Sequence, residues 1–162
     1  MAPLESPTLL IFGRLISMSS IQLPDFSVDV PDGWVDRSVL VWSAHGTPSA
    51  VPPNVAIARD EMRPDESFLD YCNRQMMSLS SALDGFRLIK QDETNLSGRF
   101  AMELVFTWKT AAGRMKQRQI FLPLDAPRIA SFAGTASEAD FDHADETHFQ
   151  PMYASLAITA RQ

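Results

Sequence analysis

The chain has 162 residues, 45% of them hydrophobic, enough for one domain whose core needs neither disulfides nor a metal. Its 14 Lys and Arg against 20 Asp and Glu give a formal net charge of -6, so it lacks the cationic surface that nucleic-acid binding requires. The single cysteine, Cys72, can form no internal disulfide, which fits a reducing compartment, and we expect a cytoplasmic protein.

The N-terminal residues precede the first clear strand pattern. A short apolar run between residues 9 and 16 has no Lys or Arg before it and is interrupted by Arg14, which is unlike a signal peptide. The run is also well short of the ~20 residues that cross a bilayer, so we expect no direct membrane insertion. Met18 follows it and is an alternative start to Met1. We therefore predict residues 1–20 as an N-terminal extension, disordered or loosely packed, and residues 21–162 as the folded domain.

Three strands are predicted in the first third of the chain. Val28 and Val30 alternate with polar neighbours until a turn at Pro31–Gly33. Ser38–Ala44 is apolar on both sides, as in a sheet that is covered on both faces. A third strand, Asn54–Arg59, begins after a proline-rich loop.

The segment Ser67–Leu83 carries the clearest helical pattern. Its apolar residues recur at steps of three and four, and Cys72 lies on that stripe, where we interpret it as a core residue rather than a reactive thiol. Ser67 is placed to cap the first turn, with Asp70 at the third position, and Gly85 suits a left-handed residue that closes the helix. We predict a helix of about four to five turns.

The remaining pattern is mainly strand. We predict four strands in this part of the chain: Phe86–Asp92, Phe100–Thr110, Arg114–Pro123 and Arg128–Gly134. Residues 138–158 have a helical pattern, in which Pro151 must start a new helix or kink one. The resulting order, βββαββββα, predicts an α+β fold with an antiparallel sheet of about six to seven strands and two helices.

No arrangement of side chains points to an active site. His143 and His148 are five residues apart, which places them on different sides of a helix, and the acidic residues nearby fit a solvated helix end better than a metal site. No Gly-x-Ser-x-Gly motif or phosphate-binding glycine loop occurs. We therefore predict a protein that is not an enzyme, with no catalytic residue, metal or cofactor. A dispersed active site remains the alternative.

Polar residues are mixed with apolar ones on two long central strands. Glu103, Val105 and Thr107 share one side of their strand, and Gln117 and Gln119 share one side of the next. This pattern is compatible with an ordinary solvent-facing side. It is equally compatible with an apolar surface that carries a few polar groups for holding a ligand.

Several segments, taken in their order along the chain, resemble the sequence pattern of a known family. The series comprises Phe26–Val30, the turn Pro31–Trp34, Asp36–Ser38, the helix around Leu69, Tyr71, Arg74 and Gln75, then Gly85–Leu88, Glu103–Trp108 and Gln117–Gln119. It resembles the DcrB-like effector-associated (Eag-type) chaperones of bacterial type VI secretion, over roughly residues 22–158. The first 20 residues and the loop Pro48–Pro53 depart from the family pattern.

The resemblance implies a Mog1/PsbP-like fold, a homodimer and a specific partner. It implies a cytoplasmic chaperone or adaptor that binds the N-terminal transmembrane region of a PAAR-containing effector, shields it and helps to load it on the secretion spike. The alternative is a non-enzymatic module of the same superfold that binds another ligand or protein. An adjacent gene for an effector with a hydrophobic N-terminus would separate the two.

A β-sheet is able to cover a transmembrane helix. Six strands at ~4.8 Å measure about 29 Å, close to the ~30 Å hydrocarbon span of such a helix. The strand pattern does not determine which face the long helix covers. As effector-binding residues we predict a set from the first three strands with two polar anchors: Val28, Val30, Ser38, Leu40, Val55 and Ile57, with Gln117 and Gln119.

Overall fold

The chain forms two antiparallel sheets within residues 8–11, 14–22, 25–46 and 48–159, the part that the computed structural model describes. They belong to two compact units, Met1–Asp36 and Arg37–Gln162. The first unit contains strands in the order β1 (Thr8–Ile11), β2 (Arg14–Gln22) and β3 (Ser27–Pro31). We predicted residues 1–20 as an extension that is disordered or loosely packed. The strand β1 and most of β2 lie in this stretch, and the domain boundary at residue 20 stays a prediction.

The second unit is built on a six-stranded antiparallel sheet in the order β4-β5-β9-β8-β7-β6. Its strands are β4 (Val39–Ser43), β5 (Asn54–Glu61), β6 (Arg87–Leu96), β7 (Arg99–Thr110), β8 (Gly113–Pro123) and β9 (Arg128–Ser137). The helix α1 (Phe68–Ala82) lies between β5 and β6 in sequence, and a helical segment follows β9. The predicted α+β class is confirmed, although the first predicted strand is β3 of the other unit.

Along each strand, successive side chains point to opposite faces of this sheet. The cross-strand row Leu40, Ile57, Phe132, Ile120 points to the side on which the C-terminal helical segment packs, which we call the C-terminal face. The neighbouring row Val41, Ala56, Ala133, Gln119, Leu104 points to the side of α1, which we call the α1 face. Both faces therefore carry a helical layer.

The C-terminal helical segment is continuous but changes its winding. It consists of α2 (Phe141–Ala144), a π-helical turn (Asp145–Phe149) and α3 (Gln150–Ala154). Pro151 is in the first turn of α3, so the prediction that it starts a new helix or kinks one is confirmed. Because a π turn takes more residues than an α turn, Phe141, Phe149 and Tyr153 all stay on the side that packs against the sheet.

The helix α1 agrees closely with the helix predicted from the sequence. Ser67 is its N-cap, and the Ser67 hydroxyl accepts a hydrogen bond from the backbone N–H of Asp70 at 3.1 Å. Gly85 is left-handed, with φ of 58°, in the turn after the helix. Buried Tyr71 and Cys72 pack against Leu104, Phe106 and Phe121 of β7 and β8. The helix therefore covers one half of the α1 face.

Candidate functional site

The other half of the α1 face has no helical cover. On this half, side chains of β4, β5, β9 and the beginning of β8 point to the α1 side without belonging to the buried cluster under α1. We call this surface the open strip; it consists of Val39, Val41, Ala56, Ala58, Ser131, Ala133, Thr135, Gln117 and Gln119. It is the candidate functional site.

The open strip is uncharged, and the size and polarity of its side chains change from its outer edge to its inner side. Val39 and Val41 at its outer edge are 56% and 59% exposed. The centre is made of small, half-buried side chains, including Ala56 and Ala133, which let another chain approach the backbone closely. The polar residues lie on its inner side, next to α1. The strip thus combines an apolar edge, a shallow small-residue floor and a polar border.

The polar border is a hydrogen-bonded chain of three side chains. The Thr135 hydroxyl donates to Gln117 Oε1 at 2.9 Å, and Gln117 Nε2 donates to Gln119 Oε1 at 3.1 Å. These bonds fix the orientation of both amides. Within the described residues, the side-chain N–H groups of Gln119 have no protein acceptor, so they are available to a bound partner.

One end of the open strip is closed by contacts between β5 and α1. Asp60 Oδ2 accepts hydrogen bonds from the Tyr71 hydroxyl at 2.9 Å and from Gln75 Nε2 at 3.1 Å. Burial, and then the bond to Asp60, raise the pKa of Tyr71 above its ordinary value, so the hydroxyl stays a donor at neutral pH. These bonds hold α1 at a fixed position beside the strip.

The structure brings together only part of the predicted effector-binding set. Gln117 and Gln119 lie next to each other on the open strip. Leu40, Val55 and Ile57 point to the opposite, C-terminal face, where Val55 is buried. The strip is instead formed by their neighbours in sequence, because a shift of one residue along a strand moves a side chain to the other face.

The other three predicted residues lie outside the six-stranded sheet. Val28 and Val30 are in β3 of the first unit, and Ser38 directly precedes β4. The role of all eight residues in effector binding stays a prediction. The small residues Ala56, Ala58 and Ala133 were missed because strand alternation alone does not show which face of the sheet is open. The sequence pattern that could have identified them is their alternation along the strands with the larger apolar residues Val55, Ile57 and Phe132.

The polar residues predicted on β7 have a structural role. Glu103 is buried on the C-terminal face, and its Oε1 lies 3.2 Å from Arg118 Nη1. Arg118 Nη2 also lies 2.7 Å from Asp145 Oδ2 in the π-helical turn. Thr107 on the same face accepts a hydrogen bond from the Arg114 side chain. This side of β7 therefore anchors the C-terminal helical segment rather than facing a ligand.

The C-terminal face has an apolar recess next to β4. It has a volume of about 330 Å³ and lies between the strands β4 and β5 and the end of α3. Its apolar lining includes Trp42, Val55, Ile57, Phe132, Met152 and Leu156. Trp42 is 51% exposed at the edge of the recess. No pattern in the sequence indicates this recess, because its walls come from distant segments.

Neither metal-binding groups nor a reactive thiol are found in the described part of the chain. No group of three His, Cys, Asp or Glu residues there is placed to hold a metal ion. Burial raises the pKa of the Cys72 thiol to about 12, so it stays protonated. Among the helices of the described residues, none has the length and apolar character required for crossing a membrane.

Sequence comparison places this geometry in a family. Residues 26–155 match the family described as DcrB. The chain belongs to the DcrB family. The chain is similar to Effector EagT6 of Pseudomonas aeruginosa strain PAO1. The two are 27% identical over 135 residues, which make up 83% of this chain and 93% of EagT6. The predicted resemblance to DcrB-like, Eag-type proteins is therefore confirmed.

The chain is similar to proteins of known structure. The DcrB-family chain is similar to PA94 of Pseudomonas aeruginosa, a protein of unknown function, with a TM-score of 0.73 and 26% identity over 89% of this chain and 99% of PA94. Cyanobacterial PsbP from Synechocystis has a TM-score of 0.48 and 13% identity over 95% of this chain and 97% of its own. The likeness to PA94 covers nearly the whole of that protein.

Proposed function

We propose that this DcrB-family chain is a cytoplasmic, non-enzymatic chaperone for a type VI secretion effector. It shields the N-terminal transmembrane segment of a PAAR-containing effector and helps to load it on the secretion spike. The observation that carries the proposal is the open strip, an uncharged surface of small and apolar residues with a polar border. Similarity to Effector EagT6 supports an effector-related role.

The composition of the open strip suits a transmembrane helix. Such a helix satisfies its own backbone hydrogen bonds, so outside lipid it needs an apolar cover for its side chains. Helices in membranes pack through small residues that permit close approach. Ala56, Ala58 and Ala133 offer the same kind of floor. A helix lying on this strip would meet surroundings similar to those of a neighbouring helix in a bilayer.

The polar border adds orientation to the apolar contact. The side-chain N–H groups of Gln119 can donate to a Ser or Thr hydroxyl or to a backbone carbonyl of the client helix. Hydrogen bonds of this kind between membrane helices contribute about 0.6 kcal/mol on average. They therefore select register and orientation, whereas the buried apolar area provides most of the affinity.

The strip is wide enough for one helix but shorter than a transmembrane span. Its four strands at ~4.8 Å measure about 19 Å across. A helix with side chains is about 10–12 Å wide, and its hydrocarbon-spanning length is ~30 Å. The six-strand estimate from sequence was too large for the open surface because α1 covers the remaining strands. We propose that a homodimer provides the missing cover.

Co-expression tests the proposal. The probe is the N-terminal transmembrane segment of a PAAR effector encoded beside the gene for this chain, produced with and without the chaperone. We expect the segment in the soluble fraction only when the chaperone is present. Ala133→Asp places a charge on the floor of the strip and should abolish this effect, and Gln119→Ala should weaken it.

The matched control is Met77→Asp, which introduces the same charge on the outer side of α1, where Met77 is 64% exposed. It should leave the effector segment soluble. The thermal transition of each variant shows that it is folded. Full solubilisation by folded Ala133→Asp would contradict a client site on the open strip.

A further inference from the structure

A second cavity lies on the C-terminal face, at the end of the sheet where β6 turns into β7 and β8 turns into β9. It has a volume of about 520 Å³ and is bounded by these two turns and by residues 156–159, which follow α3. Leu124, Leu156 and Ile158 give it apolar walls, and Arg99 and Arg128 line it as well. We call this cavity, which combines apolar surface with positive charge, the arginine pocket.

The register of the sheet brings the two arginines to the same side. Arg99 begins β7 and lies directly opposite Leu96 of β6, which belongs to the core cluster of the C-terminal face. Arg128 begins β9 two residues before Ala130, which belongs to the same cluster. Only β8 lies between their strands, so about 10 Å separates them across the sheet. One small ligand can therefore lie between the two guanidinium groups.

The two arginines differ in their charge partners. Arg128 Nη2 lies 2.9 Å from Oδ2 of Asp125, whose side chain is 84% exposed at the rim. Within the described residues, no carboxylate lies at ion-pair distance from Arg99, although Arg99 is half-buried. The other half-buried arginines of that part of the chain, Arg74, Arg114 and Arg118, all have a carboxylate partner. A partly desolvated guanidinium without a counter-charge favours a bound anion.

We propose that the arginine pocket binds a small organic anion, a carboxylate with an apolar body. The carboxylate accepts hydrogen bonds from Arg99, whose planar guanidinium matches it with two parallel donors, and lies within the field of Arg128. The apolar body packs on Leu124, Leu156 and Ile158. An apolar cavity of about 150 Å³ holds benzene, so a pocket of about 520 Å³ has room for an acid of the size of octanoate.

The position and walls of the pocket favour a free small molecule over a protein client. The pocket lies on the C-terminal face, opposite the open strip, so a helix bound to the strip does not reach it. One wall is held in place, because the Ser97 hydroxyl donates a hydrogen bond to the backbone carbonyl of Leu156. Such concave, largely pre-formed and partly apolar sites are typical of small ligands. The pocket and the strip can therefore be occupied at the same time.

Calorimetric titration of the full chain with four probes tests the chemistry of the ligand. Octanoate has both the carboxylate and the apolar body, and we expect it to bind most tightly. Acetate lacks the apolar body, octanol lacks the charge, and inorganic phosphate is an anion without apolar surface. Octanol binding as tightly as octanoate would overturn the role of the arginines, and phosphate binding as tightly would overturn the organic ligand. Absence of octanoate binding would overturn the proposal as a whole.

Substitution of Arg99 tests the location of the site. Arg99→Gln removes a charged donor, which should weaken octanoate binding at least about tenfold. The matched control is Arg87→Gln, because Arg87 is an exposed arginine on the same face at the opposite end of the sheet. It should leave the affinity unchanged, and the thermal transition shows that both variants are folded. Equal affinities of the folded Arg99→Gln and Arg87→Gln chains would contradict a site at the arginine pocket.

Asp125→Asn gives a change of the opposite sign. It removes a negative charge from the rim and releases Arg128, so octanoate should bind about two to five times more tightly. Damage to the fold does not produce such a gain, and an unchanged or weaker affinity would overturn the two-arginine site. Ala133→Asp on the open strip should keep the octanoate affinity; its loss would place octanoate on the strip instead. Failure of the chaperone function would leave octanoate binding untouched.

Discussion

Arg118 of β8 and Asp145 of the π-helical turn form an ion pair, with Nη2 and Oδ2 2.7 Å apart. The same guanidinium lies 3.2 Å from the carboxylate of Glu103 on β7, and Gln150 donates to Asp145 at 2.8 Å. Both carboxylates are buried. The strand that carries Gln117 and Gln119 towards the open strip therefore holds the C-terminal helical segment on its other face.

Removing this guanidinium should strongly destabilise the fold. Arg118→Met leaves two buried carboxylates without their main cation, and breaking a buried ion pair costs about 3–5 kcal/mol. The control is Asp142→Asn, which removes the pair with Lys116, in which the Asp142 side chain is 90% exposed. An exposed pair contributes at most about 1 kcal/mol. Urea unfolding measures both free energies; similar losses for the two variants would contradict the structural role of Arg118.

The ion pair of Glu66 with Arg74 predicts a dependence of stability on pH. Arg74 donates to both carboxylate oxygens of Glu66, at 2.6 and 2.8 Å, and chiefly these bonds lower the pKa of Glu66 from 4.5 to about 2. Because the folded state lowers this pKa, the pair stabilises the fold above pH 4.5, and its contribution is lost as the pH falls towards 2.

We therefore expect Glu66→Gln to be less stable than the unmodified chain at pH 7, with a difference that shrinks between pH 4.5 and pH 2. Thermal unfolding across this range measures it. The control is Glu93→Gln on the exposed surface of β6. Its stability should differ little from that of the unmodified chain over the whole pH range. A constant gap between Glu66→Gln and the unmodified chain at all pH values would mean that the substitution acts through packing instead.

Local signals in the sequence predicted α1 and much of the sheet. The Ser67 cap and the apolar stripe are encoded within one segment, so the predicted Ser67–Leu83 differs from the observed helix only by its two flanking residues. The hairpin of β7 and β8 was also predicted, because both strands are long and adjacent in sequence. These elements depend on neighbouring residues and need no knowledge of the tertiary structure.

The candidate site was only partly predictable. Gln117 and Gln119 stood out as polar residues on a central strand, but which face α1 covers depends on contacts between distant segments. Without that information, the assignment fell on Leu40 and Ile57 rather than on their neighbours. Strand alternation gave two possible sets of residues, and only the packing of α1 shows which of the two remains uncovered.

Gly134 is required by the close packing of the C-terminal helical segment on the sheet. A Cβ atom at this position would lie 2.7 Å from the ring of Phe149 and 2.7 Å from the hydroxyl of Tyr153. Overpacking of a core typically costs about 1–3 kcal/mol. We expect Gly134→Ala to lower the free energy of unfolding by about this amount, measured in urea.

A second substitution distinguishes this clash from a general effect on the strand. Phe149→Leu removes ring atoms and alone should destabilise the core by leaving a cavity. In combination with Gly134→Ala, the added methyl group occupies part of that space. The double variant should therefore lose less free energy than the sum of the two single losses. Simple additivity would show that Gly134 is not required by contact with Phe149.

The uncharged character of the open strip predicts how client binding depends on salt. The Debye length falls from about 10 Å at 0.1 M salt to about 3 Å at 1 M, so complexes held by surface charges weaken over this range. Binding through Val41, Ala133 and Gln119 should not, because these side chains carry no charge. We expect the soluble complex with the effector segment to survive 1 M NaCl and to dissociate in a mild detergent that competes for the apolar helix. Dissociation by salt alone would place the client on a charged surface outside the strip.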